Sequence, residues 1–232
     1  MISKKIHYCW FGKHEMPTLN QACFNTWKEY LSDYEFVRWD ETNYPKNEFT
    51  DYHLREKNWA FVSDYVRLYA LYTEGGIYLD TDFEVLKSFD SLLDNSAFVA
   101  WESDEHINNA IAGSVKGNNF FNDCMEYMIK QFEKKEEYQT SPTITTYVLR
   151  SGEYDMKVYD KELFYPYNPY DRSRAINVLM YNMISDSTYA IHHWAKSWHI
   201  EAKDDRGTGL CVFLKKVLKK FSMLIPYRNS KN

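Results

Sequence analysis

The longest continuous pattern of apolar and polar positions runs from residue 58 to residue 87. Its first half is apolar on nearly every helical face, which is typical of a helix packed on most sides. The apolar positions are Val62, Tyr65, Val66, Leu68, Tyr69, Ala70, Leu71 and Tyr72. Asp64 and Arg67 interrupt this pattern and share a face, because they lie three residues apart. Gly75 and Gly76 then end the predicted helix, since glycine readily adopts the left-handed conformation found at helix ends.

The second half of this stretch predicts a hydrophobic strand that presents two carboxylates. Residues 77–79 begin the strand and residues 83–86 continue it, with Asp80 and Asp82 between them. Alternate residues of a strand face the same side, so both carboxylates are expected to converge. Oxygen ligands suit Mn²⁺ or Mg²⁺, and two carboxylates leave coordination positions open for a diphosphate. An isolated Asp-x-Asp is more often a solvated turn, so the prediction depends on the helix and strand around it.

The rest of the chain alternates predicted strands and helices, which indicates an α/β domain. Strands are predicted at 4–12, 34–39 and 97–101, helices at 18–32, 118–135 and 143–149, an irregular segment at 43–57 and an aromatic loop at 151–175. Ligands of open α/β sheets bind at the carboxyl ends of strands. Trp10, which follows the first strand, is therefore a candidate to stack on a nucleobase, with a buried core tryptophan as the alternative.

The central stretch resembles the signature of a known enzyme family. The similar residues are Ser63-Asp64-x-x-Arg67, Leu71-Tyr72 and Gly75-Gly76-Ile77-Tyr78-Leu79-Asp80-Thr81-Asp82. The signature is that of glycosyltransferases with a DXD sugar-binding region, glycosyltransferase family 32, which includes capsular polysaccharide transferases and initiating mannosyltransferases. Large glucosylating toxins are more distant relatives. The resemblance implies a GT-A-like, Rossmann-type domain with a mixed sheet flanked by helices. It also implies a retaining, metal-dependent hexosyltransferase that uses a nucleoside-diphosphate sugar, expected to be a UDP-sugar.

The resemblance implies roles for the residues of the central stretch. Asp64 and Arg67 would hold the hydroxyls of the donor sugar. Asp82 would bind the metal directly, and Asp80 would bind the metal, the ribose or the donor sugar. Trp10 would pack on the uracil ring, because Ile6-His7-x-x-Trp10-x-Gly12 is similar to the family's opening motif.

Two further segments are similar to family motifs. Asn109 is a candidate to face the donor sugar, with a structural asparagine in a turn as the alternative. In residues 189–198 an Ile-His pair precedes Ser-Trp, which implies that His192 is the third metal ligand and that Trp198 contacts the donor. Lys196 could neutralise a phosphate. Strand alternation places His193 on the opposite side from His192.

Composition and charge limit the classes of partner. The chain has 232 residues, of which 44% are hydrophobic, 26% charged and 18% aromatic. Aromatic faces stack on sugars, although they also fill cores. A net charge of −5 argues against a nucleic-acid partner, which requires a basic surface. The four cysteines show no metal-binding spacing, no signal-peptide pattern is present, and a cytoplasmic location is expected.

Residues 206–232 differ from the catalytic domain predicted for residues 1–205. In residues 210–228 the apolar side chains fall on one helical face and lysines on the other, which suits an anionic membrane surface. A peripheral location on the inner face of the membrane follows from that interpretation. A terminal helix docked on the domain is the alternative.

The acceptor is expected to be a saccharide or a lipid-linked saccharide, as in capsular or other surface polysaccharide synthesis. Tyr167 and Tyr170, in the aromatic loop, are candidates to stack on an acceptor sugar. Two other classes stay open at this point. A nucleotide-sugar hydrolase could use the same carboxylates, and a non-catalytic carbohydrate-binding protein would explain the aromatic residues.

Overall fold

A computed structural model describes residues 1–195, in which strands and helices alternate along the chain. The strands are β1 (Lys5–Cys9), β2 (Glu35–Trp39), β3 (Gly76–Leu79), β4 (Phe83–Val85), β5 (Ala97–Trp101), β6 (Ile107–Ser114), β7 (Lys157–Tyr159) and β8 (Ala190–His192). The helices are α1 (Thr18–Tyr30), α2 (Glu48–Arg55), α3 (Trp59–Thr73), α4 (Asn119–Glu133) and α5 (Ser141–Ser151). Single 3₁₀ turns occupy Asp90–Leu92, Lys161–Leu163 and Tyr181–Met183. Within this part of the chain, no helix has the length and apolar character needed to span a bilayer.

The main sheet is mixed and has six strands in the order β2-β1-β3-β6-β5-β7. β1 is parallel to β2 and β3, β7 is parallel to β5, and β6 is antiparallel to both β3 and β5. β1, β3 and β5 therefore run in the same direction, and their carboxyl ends meet the start of β6 at one edge of the sheet. The predicted α/β architecture with a mixed sheet flanked by helices is confirmed.

Each face of the sheet packs a separate hydrophobic cluster. Tyr78 belongs to the cluster that contains α3, α4 and α5, whereas its neighbours Ile77 and Leu79 belong to the cluster around Trp27 of α1. This division follows from the alternation of side chains along β3. Both clusters consist of buried hydrophobic side chains, so the sheet lies between two packed apolar layers.

The predicted helix and glycine stop are confirmed in α3 and the turn that follows it. Gly75 and Gly76 have φ values of +71° and +99°, which favour glycine. The Nε2 atom of His7 lies 2.8 Å from the Gly75 carbonyl, and Trp39 Nε1 donates to His7 Nδ1 over 3.1 Å. Because Nδ1 accepts this hydrogen bond, Nε2 carries the proton and donates to Gly75. The buried imidazole thus fixes the turn between α3 and β3.

Three sequence expectations are wrong. Residues 43–57 were expected to be irregular but contain α2, whose first turn has reciprocal hydrogen bonds between Asn47 and Thr50. Residues 83–86 do not continue β3, because Asp80, Thr81 and Asp82 form a turn and β4 pairs with β8 in a second sheet. The loop predicted at 151–175 includes β7, which extends the main sheet beside β5.

Candidate active site

The candidate site lies at the edge of the main sheet where β1, β3 and β5 end. Trp10 follows β1, Asp80 follows β3, and Asn109 lies near the start of β6. Since these strands are neighbours in the order β1-β3-β6, the three residues leave the sheet side by side. The structure therefore brings the predicted nucleotide and metal segments to one edge, as expected of ligand sites in α/β folds.

The turn that contains Asp80 and Asp82 is held from three directions. The Asp80 backbone N–H donates to Ala110 of β6 over 2.8 Å, and Phe83 N–H donates back to the Asp80 carbonyl over 3.1 Å. Asn20 of α1 donates from Nδ2 to the Thr81 hydroxyl over 2.9 Å. The two carboxylates converge because of this turn and not because of strand alternation, so the sequence prediction was correct for a wrong reason.

Asp82 and His192 form a buried ion pair. The Nε2 atom of His192 lies 3.3 Å from Asp82 Oδ1, and its ring stacks on Phe83 with 4.6 Å between centroids. Trp194 has a φ of +55°, and the chain turns there so that the Ala195 N–H donates to Asp82 Oδ2 over 2.8 Å. The ring of His193 instead contacts Glu84 over 2.8 Å, in agreement with the predicted alternation.

The surroundings of Asp80 and Asp82 shift their pKa values in opposite directions. Burial opposes ionisation of Asp82, but the charge and hydrogen bond of His192 and the Ala195 N–H lower its pKa to about 2. For Asp80, burial raises the pKa and outweighs the opposite effects of Arg67, His192 and Tyr78. Burial lowers the pKa of His192, but the charges of Asp82, Asp80 and Glu102 and the hydrogen bond to Asp82 together outweigh it, so that pKa is raised. Asp82 is therefore the firmly ionised carboxylate of the pair.

Asp80, Asp82 and His192 fit the donor set of a divalent cation. Their ligand atoms all lie within 4.8 Å of one another. Carboxylate oxygen and imidazole nitrogen are both ligands for Mn²⁺, and the carboxylates also suit Mg²⁺. The Nδ1 atom of His192 is buried without a hydrogen-bond partner among residues 1–195, so the ring is fixed through Nε2 and its stacking contacts.

Arg67 connects the metal cluster to α3. Its Nη2 atom lies 3.2 Å from Asp64 Oδ1 and 3.1 Å from Asp80 Oδ1, and its Nη1 donates to Asn109 Oδ1 over 3.2 Å. The guanidinium also lies over the Tyr78 ring at 4.8 Å from its centroid. Burial lowers the pKa of Arg67, but the anionic neighbours raise it well above its ordinary value. The predicted pair of Asp64 and Arg67 is thus present, and Asp80 extends it to a network of three charges.

Two supporting residues were not predicted from the sequence. The Tyr138 hydroxyl, in the segment after α4, donates to Asp64 Oδ2 over 2.7 Å. The Ser141 hydroxyl, at the start of α5, donates to Asn109 Oδ1 over 2.7 Å. The side chain of Asn109 is fully buried, and its Nδ2 has no partner within the described residues.

Trp10 lies in the turn that follows β1 and is partly exposed. Its Nε1 donates to the carbonyl of His14 over 2.7 Å, and Glu41 accepts from the Gly12 N–H over 2.7 Å. Lys13, in the same turn, adopts a left-handed φ of +57°, a conformation that favours glycine. The turn therefore keeps a glycine-like backbone despite the lysine. Lys196, Trp198 and residues 206–232 lie outside the described residues.

Residues 17–99 match the family described as "Glycosyltransferase sugar-binding region containing DXD motif". The chain carries a DXD-type glycosyltransferase sugar-binding region. The matched range contains α3 and the turn of Asp80 and Asp82, so the resemblance predicted from the sequence is confirmed over these residues. Inositol phosphoceramide mannosyltransferase 2 of Schizosaccharomyces pombe is 26% identical over 211 residues, 86% of this chain and 59% of that protein. The chain thus spans less than two thirds of this curated relative.

Solved glycosyltransferases share the GT-A fold with this chain. The PaToxG glycosyltransferase has a TM-score of 0.53 at 19% identity, covering 65% of this chain and 69% of that structure. The galactosyltransferase LgtC, solved with donor and acceptor sugar analogues, has a TM-score of 0.50 at 13% identity, covering 91% and 94%. At these identities the similarity shows the fold alone.

Proposed function

We propose that this DXD-type glycosyltransferase moves a sugar from a nucleoside-diphosphate sugar, expected to be a UDP-sugar, to a saccharide or lipid-linked saccharide. The observation that supports this proposal is the convergence of Asp80, Asp82 and His192 within 4.8 Å, beside the Arg67 network. His192 comes from a strand more than a hundred residues after Asp82. A role in capsular or other surface polysaccharide synthesis remains a proposal based on the sequence resemblance.

The metal cluster would serve the diphosphate part of the donor. Asp80, Asp82 and His192 would hold Mn²⁺ or Mg²⁺, which when bound would supply positive charge to the leaving nucleoside diphosphate. Asp82 is suited to this role because its pKa of about 2 keeps it ionised at neutral pH. Because the pKa of His192 is raised, a proton would compete more strongly with the cation for the imidazole nitrogen.

The Arg67 network would serve the sugar part of the donor. A guanidinium donates hydrogen bonds and a carboxylate accepts them, so Arg67 and Asp64 can together bind neighbouring hydroxyls. Both side chains are held in place, with Tyr138 on Asp64 and Asn109 on Arg67. The complete burial of Asn109 favours an indirect role, in which it orients Arg67, over the direct sugar contact that was predicted. Trp10, Lys196 and Trp198 stay predicted donor contacts.

A thermal-shift screen tests this function. The purified chain is heated with UDP-glucose, UDP-galactose or GDP-mannose, each with and without Mn²⁺. We expect at least one nucleotide sugar to raise the melting temperature only when Mn²⁺ is present, because the cation and donor bind together. Asp82→Asn should remove that shift, whereas Asp94→Asn, at an exposed aspartate, should keep it.

Product analysis separates this proposal from its alternatives. A transferase gives a glycosylated acceptor, and NMR of that product reports whether the anomeric configuration is retained. Release of free sugar alone, with every acceptor tested, would favour a nucleotide-sugar hydrolase. Binding of free sugar without nucleotide or Mn²⁺ would favour a carbohydrate-binding protein.

We also propose that residues 210–228 bring the enzyme to an anionic membrane surface on the cytoplasmic side. The support is the alternation of apolar and lysine-rich faces in the sequence. Flotation with phosphatidylglycerol-containing vesicles should recover the full chain and lose it when residues 210–232 are deleted. Equal flotation of both proteins would contradict this proposal.

A further inference from the structure

Glu102 lies at the same edge of the main sheet as the candidate site, and none of the proposed donor contacts involves it. It follows β5 directly, just as Asp80 follows β3 and Trp10 follows β1. β6 lies between β3 and β5, so Glu102 is two strand spacings from Asp80, roughly 10 Å along the edge. It lies on the side of Asp80 away from Trp10. A donor extending from Trp10 across the metal cluster would therefore direct its sugar toward Glu102.

One carboxyl oxygen of Glu102 accepts a hydrogen bond from the protein, and the other can accept one from a ligand. Asn108 donates from Nδ2 to Glu102 Oε2 over 2.6 Å, and Asn108 Oδ1 accepts from the Ala110 N–H over 2.8 Å, which fixes the amide orientation. The Glu102 N–H donates to the His106 carbonyl over 2.9 Å, so the backbone is also fixed. Among residues 1–195, no hydrogen bond or ion pair engages Oε1.

The charge of this carboxyl is poorly compensated by the protein. No lysine or arginine in the described part of the chain pairs with it, in contrast to Asp64 and Asp80. Burial raises its pKa to about 7, Asn108 and His192 act in the opposite direction, and Asp171 adds to the increase. A partly desolvated carboxylate of this kind gains from an additional hydrogen-bond donor.

The segment that packs against Glu102 presents an aromatic surface. Asn168 donates from Nδ2 to the Glu102 carbonyl over 3.3 Å. Arg174 holds this segment through the Pro166 carbonyl at 2.8 Å and Asp171 at 3.2 Å. Tyr170 remains 49% exposed. The segment that contacts the Glu102 backbone thus carries a partly exposed aromatic ring, which lies 5.8 Å from the Trp194 ring between centroids. A sugar offers hydroxyl donors to a carboxylate and an apolar face to such a ring.

We infer that Glu102 and the segment of Tyr170 form the acceptor subsite, and that Glu102 Oε1 accepts a hydrogen bond from a pyranoside hydroxyl next to the attacking one. This inference rests on the proposed function. In the reaction, the acceptor oxygen bonds to the anomeric carbon as the bond from that carbon to the diphosphate oxygen breaks. The electron pair leaves with the diphosphate, which also takes the hydroxyl proton. Glu102 orients the acceptor through the neighbouring hydroxyl and takes no proton in the step.

The test compares transfer with hydrolysis in Glu102→Gln. The substitution keeps the side-chain volume and an oxygen that can accept from Asn108. The donor found by the thermal-shift screen is assayed with water alone and with methyl mannoside, methyl glucoside and methyl galactoside as acceptors. We expect kcat/KM for the acceptor to fall at least about tenfold, since a hydrogen bond to a charged group is lost. Donor hydrolysis and donor affinity should stay within about twofold of the wild type, because the acceptor subsite does not hold the donor.

Two further variants define the outcome. Glu105→Gln, at an exposed acid of the same turn, should match the wild type in both assays. Glu102→Asp keeps the charge but shortens the side chain, and should also lose transfer selectively. An unchanged ratio of transfer to hydrolysis in Glu102→Gln, or an equal loss of both at an unchanged melting temperature, would overturn the inference. Hydrolysis by the wild type with no transfer to any glycoside would overturn the acceptor class, whereas failure to bind any nucleotide sugar would overturn the proposed function itself.

Discussion

Replacement of Arg67 by methionine gives the most direct test of the charge network. The side chain of Arg67 is 7% exposed, and those of Asp64 and Asp80 are 13% and 25% exposed. Methionine preserves the length and apolar contacts of the arginine stem but leaves two carboxylates without their shared cation. We therefore expect Arg67→Met to be strongly destabilising even though it adds hydrophobic surface.

The expected loss follows from the partners that remain. Removing one member of a buried ion pair costs about 3–5 kcal/mol. Asp64 keeps the hydroxyl of Tyr138 at 2.7 Å, and Asp80 keeps that of Tyr78 at 2.7 Å. Both carboxylates also retain some contact with water, so the loss should lie near the lower limit, at about 3 kcal/mol. Asp64→Asn in the Arg67→Met background should recover about 1 kcal/mol or more, because one uncompensated charge is removed.

The pH dependence identifies the cause of the loss. Burial already raises the pKa values of Asp64 and Asp80, and removal of Arg67 raises them further. The folded variant then binds protons more tightly than the unfolded chain. Stability relative to the wild type is consequently greatest at low pH and decreases as pH rises from about 4 through the raised pKa values.

Urea unfolding measures both quantities. The free energy of unfolding is determined for wild type, Arg67→Met and the double variant between pH 5 and pH 8, with Arg55→Met as an exposed control. A loss below about 1 kcal/mol in Arg67→Met, typical of surface ion pairs, would show that the network does not depend on buried charge. A loss that is the same at pH 5 and pH 8 would likewise refute the reasoning.

Three other predictions concern separate parts of the molecule. Burial lowers the pKa of His53 to about 4, so its contribution to stability is present above pH 6.5 and is lost as pH falls toward 4. In His53→Phe the melting temperature should therefore fall less between pH 6.5 and pH 4 than in the wild type. Calorimetry should show that Mn²⁺ binding weakens as pH falls through the raised pKa of His192, because the cation competes with the proton for the imidazole. An affinity independent of pH would exclude His192 as a ligand. Gly75→Ala should lower the free energy of unfolding by at least about 1–2 kcal/mol, because φ is +71° and the added Cβ would lie 2.8 Å from the backbone nitrogen of Lys116. The urea concentration at the unfolding midpoint should fall accordingly.

The parts of the site that local spacing encodes could be predicted from the sequence. Asp64 and Arg67 pair because residues three apart share a helix face, and the double glycine marks the helix end. The family resemblance extended the prediction to His192, which no periodicity connects to Asp82. The strand argument failed because main-chain hydrogen bonds turn the chain at Asp80, which a pattern of carboxylates cannot reveal.

Contacts between distant segments could not be predicted. Tyr138 reaches Asp64 from 74 residues away, and Ser141 reaches Asn109 from 32 residues away. Both residue types are common on surfaces, so neither carries a signal by itself. Glu102 acquires its position from the order of β3, β6 and β5, which alternating hydrophobicity does not determine. The supporting residues thus depend on topology, whereas the residues in the DXD region carry a sequence signature.

Asp80 belongs both to the metal cluster and to the Arg67 network, and this double membership has a physical consequence. Its Oδ1 atom interacts with Arg67 and accepts from the Tyr78 hydroxyl, while its carboxylate also lies within the 4.8 Å metal cluster. Positive charge near Asp80 weakens its attraction for Arg67, which leaves the guanidinium better able to donate to a sugar hydroxyl. Cation and donor sugar should therefore bind with positive cooperativity, and by linkage each should raise the affinity of the other equally. Replacing Arg67 should reduce this coupling even where the cation still binds, because the shared carboxylate then has no second partner to release.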